Sequence, residues 1–235
     1  MSSTPTLVVV PGLDGTGLLS EPLARAAAGH FEVHTLRYDH EADQSYVGLS
    51  QRLQQELPQD RSYVLLAESF GGPLALRLAA LAPSGLTAVV LVNSFLRSPM
   101  RWPQGTLLSA AAPVLLRPPA WAVRRMLVGE DAPDALVRSV QDALGQVPAA
   151  VLRARFATLV GCDESESYLR CMAPMFYLHS RADRLLGERA LSLLSYLRPG
   201  LVIEPLDAPH LLLQARPDAA VAVLRRWLLE DKSHA

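Results

Sequence analysis

Apolar positions in the first 95 residues fall into short β-branched runs separated by stretches of helical periodicity, an alternation that predicts a parallel sheet covered by helices on both faces. The runs 7–10, 31–36, 63–67 and 86–92 read as strands, and the last is apolar almost without interruption, which suits a central position buried on both sides. Helices fit 44–57, stopped by Pro58, and 72–81, ended by Pro83. Between about Arg97 and Cys171 the β-branched runs vanish, and helical stretches punctuated by Pro103, Pro113, Pro118, Pro119, Pro133 and Pro148 replace them. The strand pattern returns at 175–179 and 201–206, around a helix at 188–197 and before a last helix to about Leu229. The expected organisation is an α/β core from 1–96 and 172–235, a mostly parallel doubly wound sheet, with a helical cap at 97–171 inserted in its chain path.

Composition narrows the classes. A chain of 235 residues that is 50% hydrophobic can bury one substantial core. Its net charge of -1 lacks the basic surplus that nucleic-acid binding needs. The longest apolar stretch free of charge, Trp102 to Leu116, is shorter than the ~18 residues of a membrane span and contains Pro113, so no span is expected. Cys162 and Cys171 are too few for a disulfide scaffold and read as free thiols in a reducing, cytoplasmic setting. No histidine stands beside them at zinc-ligand spacing, and neither metal nor organic cofactor is expected. The first residues carry no basic segment or cleavage pattern marking export.

Chemistry enters at Ala67-Glu68-Ser69-Phe70-Gly71, which follows one expected strand and precedes an expected helix, the context in which a match of G-x-S-x-G type becomes a nucleophile elbow. So sharp a turn strains its backbone, and the positions two before and two after the serine must be small. Ala67, in place of the commoner glycine, and Gly71 both qualify. A serine hydroxyl needs a base to take its proton. Of the six histidines, His210 lies in Asp207-Ala208-Pro209-His210, just beyond the last strand, where a doubly wound sheet delivers a loop to the carboxyl ends of its strands. His179 reads as a packed residue, His30, His34 and His40 flank an earlier strand, and His234 lies in the tail. The acid behind the base is expected after the preceding strand, at Asp183, with Asp207 as its rival; Asn93 and Ser94 offer no carboxylate after the fourth strand.

The catalytic set is therefore Ser69, Asp183 and His210, with oxyanion donors expected at the amides of Phe70 and of Leu13 in Pro11-Gly12-Leu13. The loop 11–17 lacks the lysine of a P-loop and the G-x-G-x-x-G spacing of a dinucleotide site. Glu68 either tunes the site or bonds nearby backbone as a structural carboxylate. In the cap, Trp102, Trp121 and Met126 are candidate substrate-binding residues, although most apolar residues at helical spacing simply pack. Arg124, Arg125, Arg153 and Arg155 read first as a solvated helix face, and second as a dock for the phosphate of a carrier-linked substrate.

Taken in order, Pro11 to Gly17, Glu68 to Gly72, Asp183 with Leu185-Leu186, and Ala208-Pro209-His210 resemble the α/β-hydrolase superfamily over nearly the whole chain. The layout is similar to small bacterial carboxylesterases of the pimeloyl-carrier-protein methyl ester esterase type, and the first two motifs look like those of plant phytyl ester synthases, which are acyltransferases. The resemblance implies a serine hydrolase that cleaves a carboxylic ester with an apolar acyl or alcohol part through an acyl-enzyme. Its partner is then a small-molecule ester, free or carrier-linked. An acyltransferase or thioesterase with the same triad, and a non-catalytic hydrolase-fold binding protein, are the alternatives.

Overall fold

The computed structural model describes residues 4–99 and 116–230. Strands β1 (Thr6–Val10), β2 (Glu32–Thr35), β3 (Tyr63–Glu68), β4 (Leu86–Val92), β5 (Met175–Ser180) and β6 (Val202–Leu206) form one sheet in the order β2-β1-β3-β4-β5-β6. Every pairing is parallel. The chain passes from β1 outward to β2, then returns to place β3 on the other side of β1, so the winding reverses between β1 and β3. Crevices at such a switch point, beyond the carboxyl ends of the strands, are where open α/β sheets hold ligands.

Alternation along β1 divides the core. Val8 and Val10 join the cluster that also holds Leu65, Ala67, Val89, Leu91 and Tyr177, covered by α2 (Tyr46–Gln54) and α3 (Gly71–Ala80). Leu7 and Val9 join the opposite cluster with Val64, Leu66, Val90, Val92, Phe176 and Leu178, covered by α1 (Glu21–Ala27) and residues of the C-terminal helices. Each inner strand is buried on both sides, which is why its sequence reads as a continuous apolar run. The edges β2 and β6 are only partly buried, and β6 admits Pro205, whose missing N–H an edge tolerates.

Between β4 and β5 the described elements are helical: α4 (Ala120–Val123), a π-turn segment (Arg124–Val128), α5 (Asp134–Gly145), α6 (Ala149–Val160) and α7 (Ser165–Arg170). Val123, Val128, Val137, Val140, Leu144 and Leu152 form their own apolar cluster, which reaches the core through Leu13, Leu19 and Leu211. After β5 come α8 (Gly187–Leu197) and, beyond β6, α9 (Leu212–Ala215) and α10 (Pro217–Arg225). The expected single C-terminal helix is broken at Arg216, because Pro217 takes the first position of a new helix and cannot donate back into the preceding one. Helix α1, only seven residues long, is too short for its periodicity to stand out in the sequence. Cys162 and Cys171 are buried free thiols. Among the described residues no helix is long and apolar enough to cross a membrane.

The tightest constraint lies where α3 starts. A Cβ on Gly71 would stand 2.4 Å from the Val10 carbonyl oxygen and 2.5 Å from that of Pro11, backbone atoms that cannot swing aside. Gly71→Ala is expected to destabilise the fold by about 3 kcal/mol through overpacking, while Gly145→Ala, where nothing lies within 4 Å, gains about 0.5–1 kcal/mol from helix propensity. Urea unfolding of the two variants beside the parent protein checks both signs.

Candidate active site

Strand β3 ends at Glu68 and α3 begins at Gly71, so the chain reverses within two residues and holds Ser69 at φ 53°. That left-handed conformation costs an L-residue on the order of 1–3 kcal/mol and persists only where its surroundings over-determine it. Here the Ser69 amide donates to the Val92 carbonyl at 3.0 Å, and the Ser69 carbonyl accepts from the Ser94 hydroxyl at 2.7 Å and the Gly72 amide at 3.1 Å. Ser94 is fixed in turn by the Tyr177 hydroxyl, which donates to its carbonyl at 2.9 Å.

The loop after β6 brings His210 to this turn from 141 residues away, with its Nε2 2.9 Å from the Ser69 Oγ. On its other side His210 Nδ1 lies 2.8 Å from Asp183 Oδ2. Asp183 Oδ1 accepts from the amides of Leu185 at 2.7 Å and Leu186 at 3.2 Å. Burial alone would raise the Asp183 carboxyl, but the hydrogen bonds from His210, Leu185 and Leu186 outweigh it and hold the group below its usual value. Asp183 is then ionised at neutral pH and accepts, so Nδ1 carries the proton, and Nε2 is left to accept from the serine hydroxyl. Asp207, the rival acid, points to Arg181 at 3.1 Å on the surface. His179 is half-buried beside Tyr177.

Asn93, read from the sequence only as a strand end without a carboxylate, has a structural task. Its Nδ2 donates to the His210 carbonyl and to Ser180 Oγ, both at 2.7 Å, and its Oδ1 accepts from the Ser180 amide at 2.8 Å. His210 is thus anchored to the end of β4 as well as to Asp183. A buried asparagine closing an otherwise apolar strand was the available signal.

Opposite Ser69 runs the loop after β1. Neither the Leu13 nor the Phe70 amide donates to a protein acceptor among the described residues, and the same holds for the flanking Gly12, Asp14 and Gly71 amides, whereas the Gly15 and Ser69 amides are taken. Between this loop and the helices after β4 lies a cavity of about 480 Å³, reached by Ser69 and His210 and walled by Leu19, Leu23, Met126, Leu127, Val140 and Phe156 among others. Met126 is in that wall. Trp121 is 64% exposed and outside it, because α4 turns Ala122 and Val123 inward instead. Trp102 lies outside the described residues. Arg155 corrects the reading of a solvated basic face: it is 0% exposed, while Arg124 is tied to Asp134.

The sequence profile of the Alpha/beta hydrolase family matches residues 7–223. The chain belongs to this family. Among solved structures, the enol-lactonase of Burkholderia xenovorans LB400 superposes with a TM-score of 0.80 at 18% identity, covering 97% of this chain and 92% of that one. A bromoperoxidase of Bacillus anthracis gives 0.81 at 15%, covering 96% and 92%. At these identities the likeness is one of fold. A curated relative, the chloroplastic phytyl ester synthase 1 of Arabidopsis thaliana, is 34% identical over 110 residues, which cover 43% of this chain but only 16% of that protein.

One feature of this alpha/beta hydrolase sets a pH dependence. Glu68, buried next to Ser69, accepts from Gln214 Nε2 at 3.0 Å and the Leu213 amide at 3.3 Å, and burial pushes its carboxyl up to about 7. A group raised on folding stabilises fully below its unfolded value of about 4.3 and loses that contribution as pH rises through the folded value. Relative to Glu68→Gln, the parent protein should therefore lose about 3 kcal/mol of unfolding free energy between pH 4 and pH 8, from the 1.36 kcal/mol that each unit represents. Urea midpoints of both proteins at the two pH values measure it; parallel pH profiles would contradict it.

Proposed function

We propose that this alpha/beta hydrolase is a serine esterase that cleaves a carboxylic ester with an apolar acyl or alcohol part through a covalent acyl-enzyme. The observation that carries the reading is the unbroken relay from Ser69 Oγ to His210 Nε2 at 2.9 Å and from His210 Nδ1 to Asp183 Oδ2 at 2.8 Å. In this scheme Ser69 Oγ attacks the ester carbonyl carbon as His210 Nε2 takes its proton, and the carbonyl π-pair moves to the oxygen. The free amides of Leu13 and Phe70 donate to that oxyanion. Collapse expels the alcohol oxygen, which takes the proton from His210. Water then gives its proton to His210, attacks the acyl carbon and releases the acid as Ser69 Oγ regains a proton.

The apolar cavity supports an acyl or alcohol part without charge, since a volume of about 480 Å³ lies within the range of small-molecule pockets and its walls are chiefly aliphatic and aromatic. The helices between β4 and β5 serve as the cap that roofs it. Similarity to part of a phytyl ester synthase favours a second reading, in which an alcohol replaces water at deacylation with the same three residues.

Intact-mass analysis after fluorophosphonate treatment is expected to give one adduct on Ser69, absent in Ser69→Ala and strongly slowed in His210→Ala. Hydrolysis of p-nitrophenyl esters should fall on the order of 10⁴-fold in Asp183→Asn, whose amide imposes the wrong imidazole tautomer. No adduct in folded parent protein would sink the esterase reading. Product analysis with a long-chain alcohol present distinguishes transfer, which yields a new ester, from hydrolysis, which yields the acid alone.

A further inference from the structure

All five carbonyls of the loop Pro11–Gly15 accept a hydrogen bond. Pro11 O accepts from the Tyr38 hydroxyl, and Gly15 O accepts from the Tyr38 amide at 2.8 Å. Gly12 O accepts from the Gly15 amide at 3.1 Å. The remaining two, Leu13 O at 3.0 Å and Asp14 O at 2.6 Å, both accept from one group, Nη1 of Arg155.

Arg155 belongs to α6, in the segment between β4 and β5, and reaches the loop across 142 residues of sequence. Its Nε donates to Gln44 Oε1 at 2.9 Å, and its guanidinium lies 5.1 Å from the centre of the Tyr38 ring. Among the described residues no carboxylate oxygen comes within 4.0 Å of it, and its Nη2 has no partner. Asp14, the nearest acid in the loop, instead accepts from the Thr16 amide at 2.9 Å and the Thr16 hydroxyl at 2.5 Å. An arginine that keeps its charge when buried without a carboxylate carries a heavy desolvation penalty, which simple packing does not call for.

We propose that Arg155 is a positioning residue which, from the segment between β4 and β5, orients the Leu13 amide toward the oxyanion. This rests on the esterase reading of the site. The connection runs through planar trans peptides, in which C=O and N–H point opposite ways. Arg155 holds Asp14 O, which fixes the Asp14–Gly15 plane and so the direction of the Gly15 N–H. That N–H holds Gly12 O, which fixes the Gly12–Leu13 plane and turns the Leu13 N–H the other way. Gly15 permits the turn: at φ +61° a Cβ there would stand 2.1 Å from the Tyr38 ring. The buried cation also lowers the potential energy of negative charge that develops on the near side of the loop.

The test compares the parent protein with Arg155→Met and Arg155→Lys in the full chain, each checked for folding by circular dichroism. Three readouts are taken: kcat and KM on a p-nitrophenyl ester, inhibition by an alkyl trifluoromethyl ketone, and binding of the matching alkyl carboxylate. The ketone adds Ser69 Oγ to its carbonyl and carries an oxyanion, so its affinity reports the oxyanion donors, whereas the carboxylate reports ground-state binding. In Arg155→Met, kcat should fall about 10²-fold with KM within threefold, ketone affinity should fall by the same factor as kcat/KM, and carboxylate affinity should hold. Arg155→Lys should recover part of the loss. A folded Arg155→Met with kcat and ketone affinity within threefold of the parent overturns the proposal, as does a loss confined to KM. Should Arg155→Met not fold, Gln44→Leu, which frees the guanidinium Nε, should lower kcat and ketone affinity together about tenfold, and unchanged values in that variant overturn the proposal equally. A parent protein that takes no fluorophosphonate on Ser69 refutes the esterase reading and any positioning role with it. A normal adduct beside an indifferent Arg155 refutes the positioning role alone.

Discussion

The turn at Ser69, with its φ of 53°, is a conformation that the sequence could not hold alone, and the surrounding structure is arranged around keeping it. Its amide is taken by Val92 and its carbonyl by Ser94 and Gly72, so the ends of β3, β4 and the start of α3 are locked into one unit. The close approach of Gly71 to the Val10 and Pro11 carbonyls ties that unit to β1. This is the seam where the winding of the sheet reverses, and both the Ser69 turn and the Leu13 loop open there into the same cavity. Strain at one residue is therefore spread over four elements, each of which the apolar core already holds rigid.

A second layer of polar contacts places His210. His210 reaches Ser69 because its ring is held by Asp183 and its backbone by Asn93, two residues on different strand ends. Ser180 closes the triangle, its amide and hydroxyl both facing Asn93. A buried polar set of this kind is costly when incomplete and rigid when complete, and both Asn93 Nδ2 bonds and the Ser180 amide find acceptors here. The imidazole is thereby presented in one orientation, which a loop following an edge strand would not achieve on backbone stiffness alone.

Ser69, Asp183 and His210 were legible in the sequence because each follows a strand, and strands with continuous apolar runs announce themselves. The same applies to the sheet, whose strand ends shift by only a residue or two from the expected positions. Arg155 was not legible. Grouped with Arg153 it looks like a charged helix face, yet two residues apart on a helix they stand about 200° apart, so one is exposed and the other faces the core. Which face is inward depends on α6 packing against a loop far away in the chain, and no local pattern contains that. Asn93 was equally opaque, since its partners His210 and Ser180 come from elements 117 and 87 residues away.

Glu68 extends the same logic to β3. As the last residue of β3 it points away from Ser69 into the wall of the cavity, where its two oxygens are met by the Leu213 amide and the Gln214 side chain. Leu213 and Gln214 lie in α9, three and four residues after His210. The residue before Ser69 and the helix after His210 are thus joined by one carboxylate, while Gln214 also donates to Leu19 O beside the cavity. A carboxyl raised to about 7 by burial changes protonation near neutral pH, and each state presents a different set of donors to Gln214. Placement of His210 and polarity of the cavity wall are consequently linked through a single group that hydrogen-bonds neither Ser69 Oγ nor the imidazole.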